Sequence, residues 1–280
     1  MAVAHTGIQT GENPAAPPTQ PEARKHGPWL GIFTAVVIAY LFVPILVMIA
    51  FGFNNPAGRF NFVWNEFTFE NYTTLFEIRE LTEALKNSLV VASISTVIAT
   101  FVGTLIALAL TRYRFRGRSG LNLFLFVPMA SPEVVLGVSL LALFVTLGFS
   151  RGLTTIIIAH IAFSISYVVV TVKARTSGLD TNLEDAAQDL GATPLTSFWT
   201  VTFPLIFPGV LAAGLLAFVL SLDDYVITVF NAGGTSTLPL WIFGASRIGV
   251  PTQVNVMGTL IFTIGVVYVV VALVRERRRQ

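Results

Sequence analysis

The sequence predicts an all-α polytopic membrane protein with six transmembrane helices and a helix–glycine–helix elbow on the cytoplasmic side. Three observations predict it: the composition, the length of the apolar blocks, and the distribution of cationic residues. Of 280 residues, 54% are hydrophobic and only 11% charged, and the mean hydropathy is +0.75. A soluble domain carries about 25% charged residues, so an ordinary water-facing surface is excluded. Disorder over most of the length is excluded too, because the aliphatic and aromatic content is too high. A net charge of +2 gives no case for a nucleic-acid partner. Cysteine is absent, which removes disulfides, thiolate metal sites and cysteine nucleophiles.

A membrane-spanning helix needs about 20 predominantly apolar residues. Six blocks meet that length: Trp29 to Phe53, Ser88 to Leu110, Leu121 to Leu147 (interrupted by Pro128 and Pro132), Leu153 to Val172, Phe207 to Phe230, and Val256 to Val274. None alternates with a period of two throughout, so an outer-membrane barrel does not fit. The polar, Pro- and Ala-rich residues 1–28 read as a disordered cytoplasmic tail. The apolar block after them is too long for a cleaved signal peptide. Residues 29–274 form the transmembrane domain in this reading, and residues 275–280 a basic cytoplasmic tail.

Charge sets the orientation. With the N-terminus cytoplasmic, the inner segments hold Arg24, Lys25, Arg112, Arg114, Arg116, Arg118, Lys173, Arg175, Arg275, Arg277, Arg278 and Arg279. The outer segments hold Arg59, Arg79, Lys86, Arg151 and Arg247, so both termini are expected to be cytoplasmic. The outer loop from Asn54 to Asn87 carries Trp64, Phe67, Phe69 and Tyr72. It reads either as a structured cap on the bundle or as an interfacial aromatic belt.

The inner loop between the fourth and fifth spans is the most informative segment. From Asp180 to Phe203 it suggests two short helices. Asn182 is placed to cap the first, with Glu184 and Asp185 in its first turn, where the helix dipole favours carboxylates. Ala186 and Ala187 are strong helix formers that leave a small, flat surface. Gly191 is placed to end the helix in a left-handed conformation. Thr193 then caps a second helix opening on Pro194, and Pro204 and Pro208 mark the return to the membrane. Such an elbow is a docking surface or a plain re-entry loop.

This segment resembles the signature loop of the binding-protein-dependent ABC importer permeases: E-A-A, three residues, G, nine residues, I-x-L-P. The matching positions are Asp185-Ala186-Ala187, Gly191 and Val201-Thr202-Phe203-Pro204. The spacing is intact, with Asp for Glu, Val for Ile and Phe for Leu. The runs WNEFTFENYTTLF, LKNSLVVASIST, RYRFRGRSGLN, SLDDYVITVFNAGGTSTLPLWIF and GVPTQVNVMGTL are similar to the spermidine/putrescine branch of that family. The resemblance implies the type I ABC importer permease fold and a bacterial inner-membrane location. It also implies three kinds of protein partner: a homologous second permease, two copies of a nucleotide-binding ATPase, and an extracytoplasmic solute-binding protein. Glu184, Asp185, Ala186, Ala187, Gly191 and Pro204 would form the loop that couples to the ATPase. No cofactor is expected on this chain; ATP would be used by the partner subunit. The absence of a G-x-x-x-x-G-K-[ST] phosphate loop agrees with that division of labour, and no H-E-x-x-H pair is present.

Three acids fall within the apolar blocks: Glu133, Asp223 and Asp224. A charge at the bilayer centre costs about 2.5–3.5 kcal/mol even on the lenient insertion scale. On a straight third span Glu133 would lie about 18 Å deep. No Lys or Arg within the spans can neutralise these groups, so each must protonate, meet water or meet a cation. They read as lining a hydrated path for a polycationic solute, with Tyr225 placed for cation–π contact beside the Asp pair. The alternative is that they sit at the interface or cap a broken helix. Phe163, Tyr167, Phe230 and Trp241 are further candidates for such contacts, or plain packing residues. His160, alone in the fourth span, reads as a packing residue or a functional one. Two classes of function remain: the permease of an ATP-driven importer for polyamines or another small cationic or zwitterionic solute, and a stand-alone secondary transporter or channel. Inverted repeats and paired broken helices would favour the second.

The orientation is directly testable because the chain has no native cysteine. Arg116→Cys and Glu70→Cys are expected to react with an impermeant thiol reagent from opposite sides of the membrane. Labelling of both from outside sealed cells would refute the six-span arrangement.

Overall fold

The structure is a computed structural model that describes residues 28–58, 60–180 and 182–277. The expected N-terminal tail and the last three residues of the basic tail lie outside the described residues. The chain divides into two compact units, Met1–Val47 and Met48–Gln280. The first contributes most of helix α1 (Pro28–Phe51), which is apolar throughout and contains Pro44.

The second unit begins with an irregular segment that includes the short α2 (Glu70–Thr73). This segment is held together by side-chain hydrogen bonds and aromatic contacts, while Trp64, Phe67 and Phe69 remain exposed. Asn54 is fully buried. Its side-chain amide donates to Asn61 Oδ1 at 2.6 Å and to the Val63 carbonyl at 2.9 Å, and its Oδ1 accepts the Asn65 N–H at 2.8 Å. Phe53 stacks on Phe67 and packs against Tyr72. Loop backbone that would otherwise be orphaned is thereby satisfied by side chains.

From this segment, α3 (Arg79–Arg112) runs unbroken for 34 residues, a length of about 50 Å. The third block is two helices, α4 (Arg118–Ala130) and α5 (Glu133–Thr146), bent by 108° at their junction. Proline explains the bend. The residue before a proline is pushed out of the helical region, and Ser131 (φ −78°, ψ 141°) and Pro132 (φ −56°, ψ 133°) are both extended. The third block is thus broken at Pro132, one of the two prolines that interrupt it in the sequence, and Glu133 becomes the first residue of α5 instead of a mid-span residue. Next comes α6 (Leu153–Thr176), the most enclosed of the apolar helices. The elbow helix α7 (Asn182–Asp189) and the turn α8 (Pro194–Ser197) follow.

The fifth block also departs from expectation. Its helix does not wait for Pro204 to start. A π-helical segment, Phe198–Thr202, joins α8 directly to α9 (Phe203–Asp223). Pro204 and Pro208 cannot donate to an α-helical ladder, and the wider turn, closed by Phe203 N–H on the Phe198 carbonyl, absorbs the mismatch. At its other end the block breaks at Asp224, which is extended (φ −65°, ψ 123°), before α10 (Val226–Asn231). Two further helices, α11 (Leu238–Ala245) and α12 (Thr252–Arg277), complete the unit. Helix thus extends through residues 275–277 of the expected tail. Among the described residues five helices are long and apolar enough to cross a membrane, six if α4 and α5 count as one broken span.

The main core joins α3, α4, α6 and α9 through Ala99, Ala107, Leu110, Leu125, Val168, Val169, Val172, Ala213 and Ala217. The small residues let these helices approach closely, which matters where lipid supplies no hydrophobic drive between helices. A second cluster, Phe144, Ala159, Phe163 and Ile227, joins α5, α6 and α10. The later arms of both broken spans pack together here. A Cβ on Gly137 would come within 2.7 Å of Phe230 Cδ2 and 3.3 Å of Ile227 Cα. Gly137→Val is therefore expected to wedge α5 from α10 and to cost about 1–3 kcal/mol, the usual range for overpacking. Thermal unfolding of the detergent-purified protein measures it, and an unchanged Tm would contradict the close packing.

Candidate functional site

Two sites emerge, one at the elbow and one at the break after α9. At the elbow, the acceptor at the start of α7 is Asp180, whose Oδ1 takes the Asn182 N–H at 3.0 Å. Asn182 is the first helical residue rather than the cap. Gly191 has φ +92°, as the left-handed turn requires. Thr193 Oγ1 accepts the Thr196 N–H at 3.3 Å, with Pro194 in the first helical position.

The elbow residues separate into two faces. Asp185, Ala186 and Gly191 are exposed, Ala187 is half-buried, and Leu190 is 90% exposed, with Leu195 and Trp199 exposed as well. Glu184 turns the other way. Its carboxylate pairs with Arg112 at the end of α3 and accepts from the Thr202 hydroxyl. Arg112 also donates to Thr202 Oγ1 at 3.0 Å and lies over the Phe198 ring at 6.0 Å. The Ser197 hydroxyl reaches the Glu184 carbonyl. One charged cluster thus ties α7 to α3 and to the π segment leading into α9. Pro204 sits just past that segment.

At the break after α9 the two aspartates part company. Asp223 ends the helix and is exposed. With Leu222, Tyr225, Leu238, Ile242 and Phe243 it lines a cleft of about 530 Å³, and the Tyr225 and Phe243 rings lie 4.6 Å apart. Asp224 turns inward. Its Oδ1 accepts the Ile227 N–H at 3.2 Å, and its Oδ2 accepts the Thr228 N–H at 2.8 Å and the Thr228 hydroxyl at 2.7 Å. His160 Nε2 lies 3.3 Å from Oδ2, with the two side chains only 2% and 6% exposed. Glu133 stands at the other break, exposed at the N-terminus of α5, where the helix dipole favours a carboxylate.

Of the aromatic candidates, only Tyr225 joins Asp223 at the cleft. Phe163 and Tyr167 pack in the second cluster, Phe230 against Gly137, and Trp241 beside Leu238 and Met257. Sequence reasoning missed Arg112 as the elbow's partner and His160 as the partner of Asp224. The second was within reach: an ionisable residue inside a span calls for a partner, and His160 and Asp224 were both present in facing blocks. The run Gly148-Phe149-Ser150-Arg151-Gly152 has the spacing of a hydrolase nucleophile elbow. It joins α5 to α6 rather than a strand to a helix, so it carries no hydrolase reading.

An apolar bundle with broken spans and a helix–glycine–helix elbow defines a multi-pass membrane protein of the transporter class. Residues 99–279 match the family described as binding-protein-dependent transport system inner membrane component, and the chain belongs to that family. It is 38% identical over 247 residues to the spermidine/putrescine transport system permease protein PotC of Haemophilus influenzae, covering 88% of this chain and 95% of the relative. The putrescine transport system permease protein PotI of Escherichia coli is 37% identical over 251 residues, covering 86% and 89%. A bacterial ABC transporter for the acidic polysaccharide alginate shares the fold at a TM-score of 0.62 and 18% identity, over 92% of this chain and 99% of that one. Its relatives are transport permeases, not enzymes, and the paired broken helices here occur in an importer permease rather than in a stand-alone transporter.

The elbow cluster has a measurable consequence. Arg112→Ala removes the charge that holds Glu184 and is expected to loosen α7 by about 1 kcal/mol, which is about fivefold in amide exchange. The swap Arg112→Glu with Glu184→Arg should recover part of the protection. Identical exchange in α7 for the wild type and Arg112→Ala would show that the pair holds nothing.

Proposed function

We propose that this chain is one of two permease subunits of an ATP-driven importer and that its cargo is a polyamine of the spermidine or putrescine type. The observation that carries the reading is Asp223, an exposed carboxylate beside Tyr225 at the break of the fifth span, in a chain whose near full-length relatives are named as spermidine/putrescine permeases. An ammonium group entering the cleft would exchange hydration for the carboxylate and the ring face, and both attractions strengthen as the local dielectric falls. Transport also requires release. A single carboxylate in an otherwise apolar cleft suits weak, shared binding better than a closed cage. Asp224, already filled by donors, has little left to offer cargo. Glu133 is a second carboxylate that the path would pass.

The same reading gives the elbow its role. The exposed face of Asp185, Ala186 and Leu190 would dock into a nucleotide-binding ATPase on the cytoplasmic side. Glu184, Gly191 and Pro204 would hold the shape of that surface and pass its movement into α3 and α9. A homologous permease would complete the path, and an extracytoplasmic binding protein would deliver the solute to it.

Uptake of labelled spermidine and putrescine by cells carrying the whole system tests the cargo. Asp223→Asn is expected to lower uptake by about tenfold, one lost charge contact at reduced dielectric. Unchanged uptake in Asp223→Asn would remove that residue from the path. Uptake of a zwitterion, sugar or anion without polyamine uptake by the wild type would replace the cargo and leave the importer standing. At the elbow, Gly191→Val places a Cβ in a left-handed conformation at about 1–2 kcal/mol. It should abolish uptake and co-purification with the ATPase while the chain stays in the membrane. Normal uptake in that variant would make the elbow a simple connector.

A further inference from the structure

The side chains behind Asp224 form a chain of polar groups through the bundle. Ser95 on α3 lies 3.1 Å from Ser221 on α9, oxygen to oxygen. The Ser221 hydroxyl is 2.6 Å from His160 Nδ1, and His160 Nε2 is 2.9 Å from Thr228 Oγ1 on α10. Thr228 then donates to Asp224. Ser95, His160, Ser221 and Thr228 are all buried, so four helices meet at one imidazole.

Counting donors assigns the protons. The Thr228 hydrogen goes to Asp224 Oδ2, so its oxygen must accept from His160, and Nε2 carries a proton. The Ser221 hydroxyl bonds both Nδ1 and Ser95 Oγ. Asp224 thereby receives two backbone N–H groups, one hydroxyl and the edge of one imidazole N–H. A carboxylate can accept about four hydrogen bonds. It is therefore satisfied inside the bundle without a lysine or arginine. Asp224 is also the sole extended residue between α9 and the turn that opens α10. Whatever holds its carboxylate holds the break, and the break sets where the adjacent Asp223 points.

We propose that His160 is a positioning residue for the cation path: by gripping Asp224 it fixes the break of the fifth span and presents Asp223 to the cleft. The proposal rests on the reading of Asp223 as the path carboxylate, and its chemistry needs no contact between His160 and cargo. Removing the imidazole frees one carboxylate lone pair, strips the Thr228 and Ser221 hydroxyls of their partner, and releases the hinge from α6 and α3. A residue that only filled space would instead govern how much complex assembles.

The test uses the complete permease–ATPase complex with its binding protein in proteoliposomes. His160→Ala is expected to raise the apparent KM for labelled putrescine by about tenfold with Vmax within about twofold, and His160→Gln, which retains a donor, should recover most of it. In the Asp223→Asn background His160→Ala should add no further rise in KM, because the two act in series. An unchanged KM, a KM effect that adds fully to that of Asp223→Asn, or a fall in Vmax alone would overturn the proposal. A second measurement stands apart from the cargo. In the chain bearing Asp223→Cys, His160→Ala should change the rate of labelling by an impermeant methanethiosulfonate several-fold, and an equal rate would overturn the proposal even if the complex carries another solute. Thr228→Val, nearly isosteric, should reproduce the labelling change in milder form should His160→Ala not assemble. A wild type that takes up no polyamine would count against the cargo reading alone, and the labelling rates would still decide the role of His160.

Discussion

Backbone hydrogen bonding in lipid is the constraint on which the rest depends. With no water available, an N–H or C=O released from a helix inside the bilayer must find a partner in the protein. This chain breaks its helical ladder at Ser131-Pro132 and again at Asp224, and each break needs replacement partners. At the second, the Asp224 carboxylate takes the free N–H groups of Ile227 and Thr228. That solution brings a buried charge with it, which His160 and the Thr228 hydroxyl then satisfy. One backbone requirement thus accounts for an acid, an imidazole and three hydroxyls inside an apolar bundle.

The same constraint shapes the elbow. Pro204 cannot donate to a regular ladder at the start of α9, and the π segment Phe198–Thr202 directly precedes it. Its buried Thr202 hydroxyl is held by Arg112 and Glu184, so this segment is also the joint between the elbow and the bundle. The ion pair joins α7 to α3, and the π segment runs without interruption into α9.

The later arms of the two broken spans, α5 and α10, pack against each other at Gly137. Glu133 and Asp223 stand at the two breaks, both exposed within this chain. Carboxylates placed where helices are interrupted are not buried within continuous apolar helix. The cleft at Asp223 shows the economy of this arrangement: one carboxylate faces the open side, while its neighbour is consumed in holding the break.

Much of this was legible in the primary structure. Apolar block length gave the spans, because a helix must be long enough to cross hydrocarbon. Gly191 and Thr193–Pro194 gave the elbow, because left-handed turns and helix starts depend on local chemistry. Proline placement gave the existence of the break near Pro132, but its angle depends on what α5 packs against. The division of labour between Asp223 and Asp224 was not legible. Adjacent residues look alike in one dimension, and only the fold puts His160 beside one of them and open space beside the other. The pairing of Glu184 was not legible for the same reason: its partner Arg112 lies 72 residues earlier in the chain. The sequence by itself determined the apolar helices, the break at Pro132 and the turn at Gly191, since these follow from each residue's own backbone and its near neighbours. Tertiary structure alone decided which buried polar groups satisfy one another, because those partners are brought together only by the packing of helices that are distant in the chain.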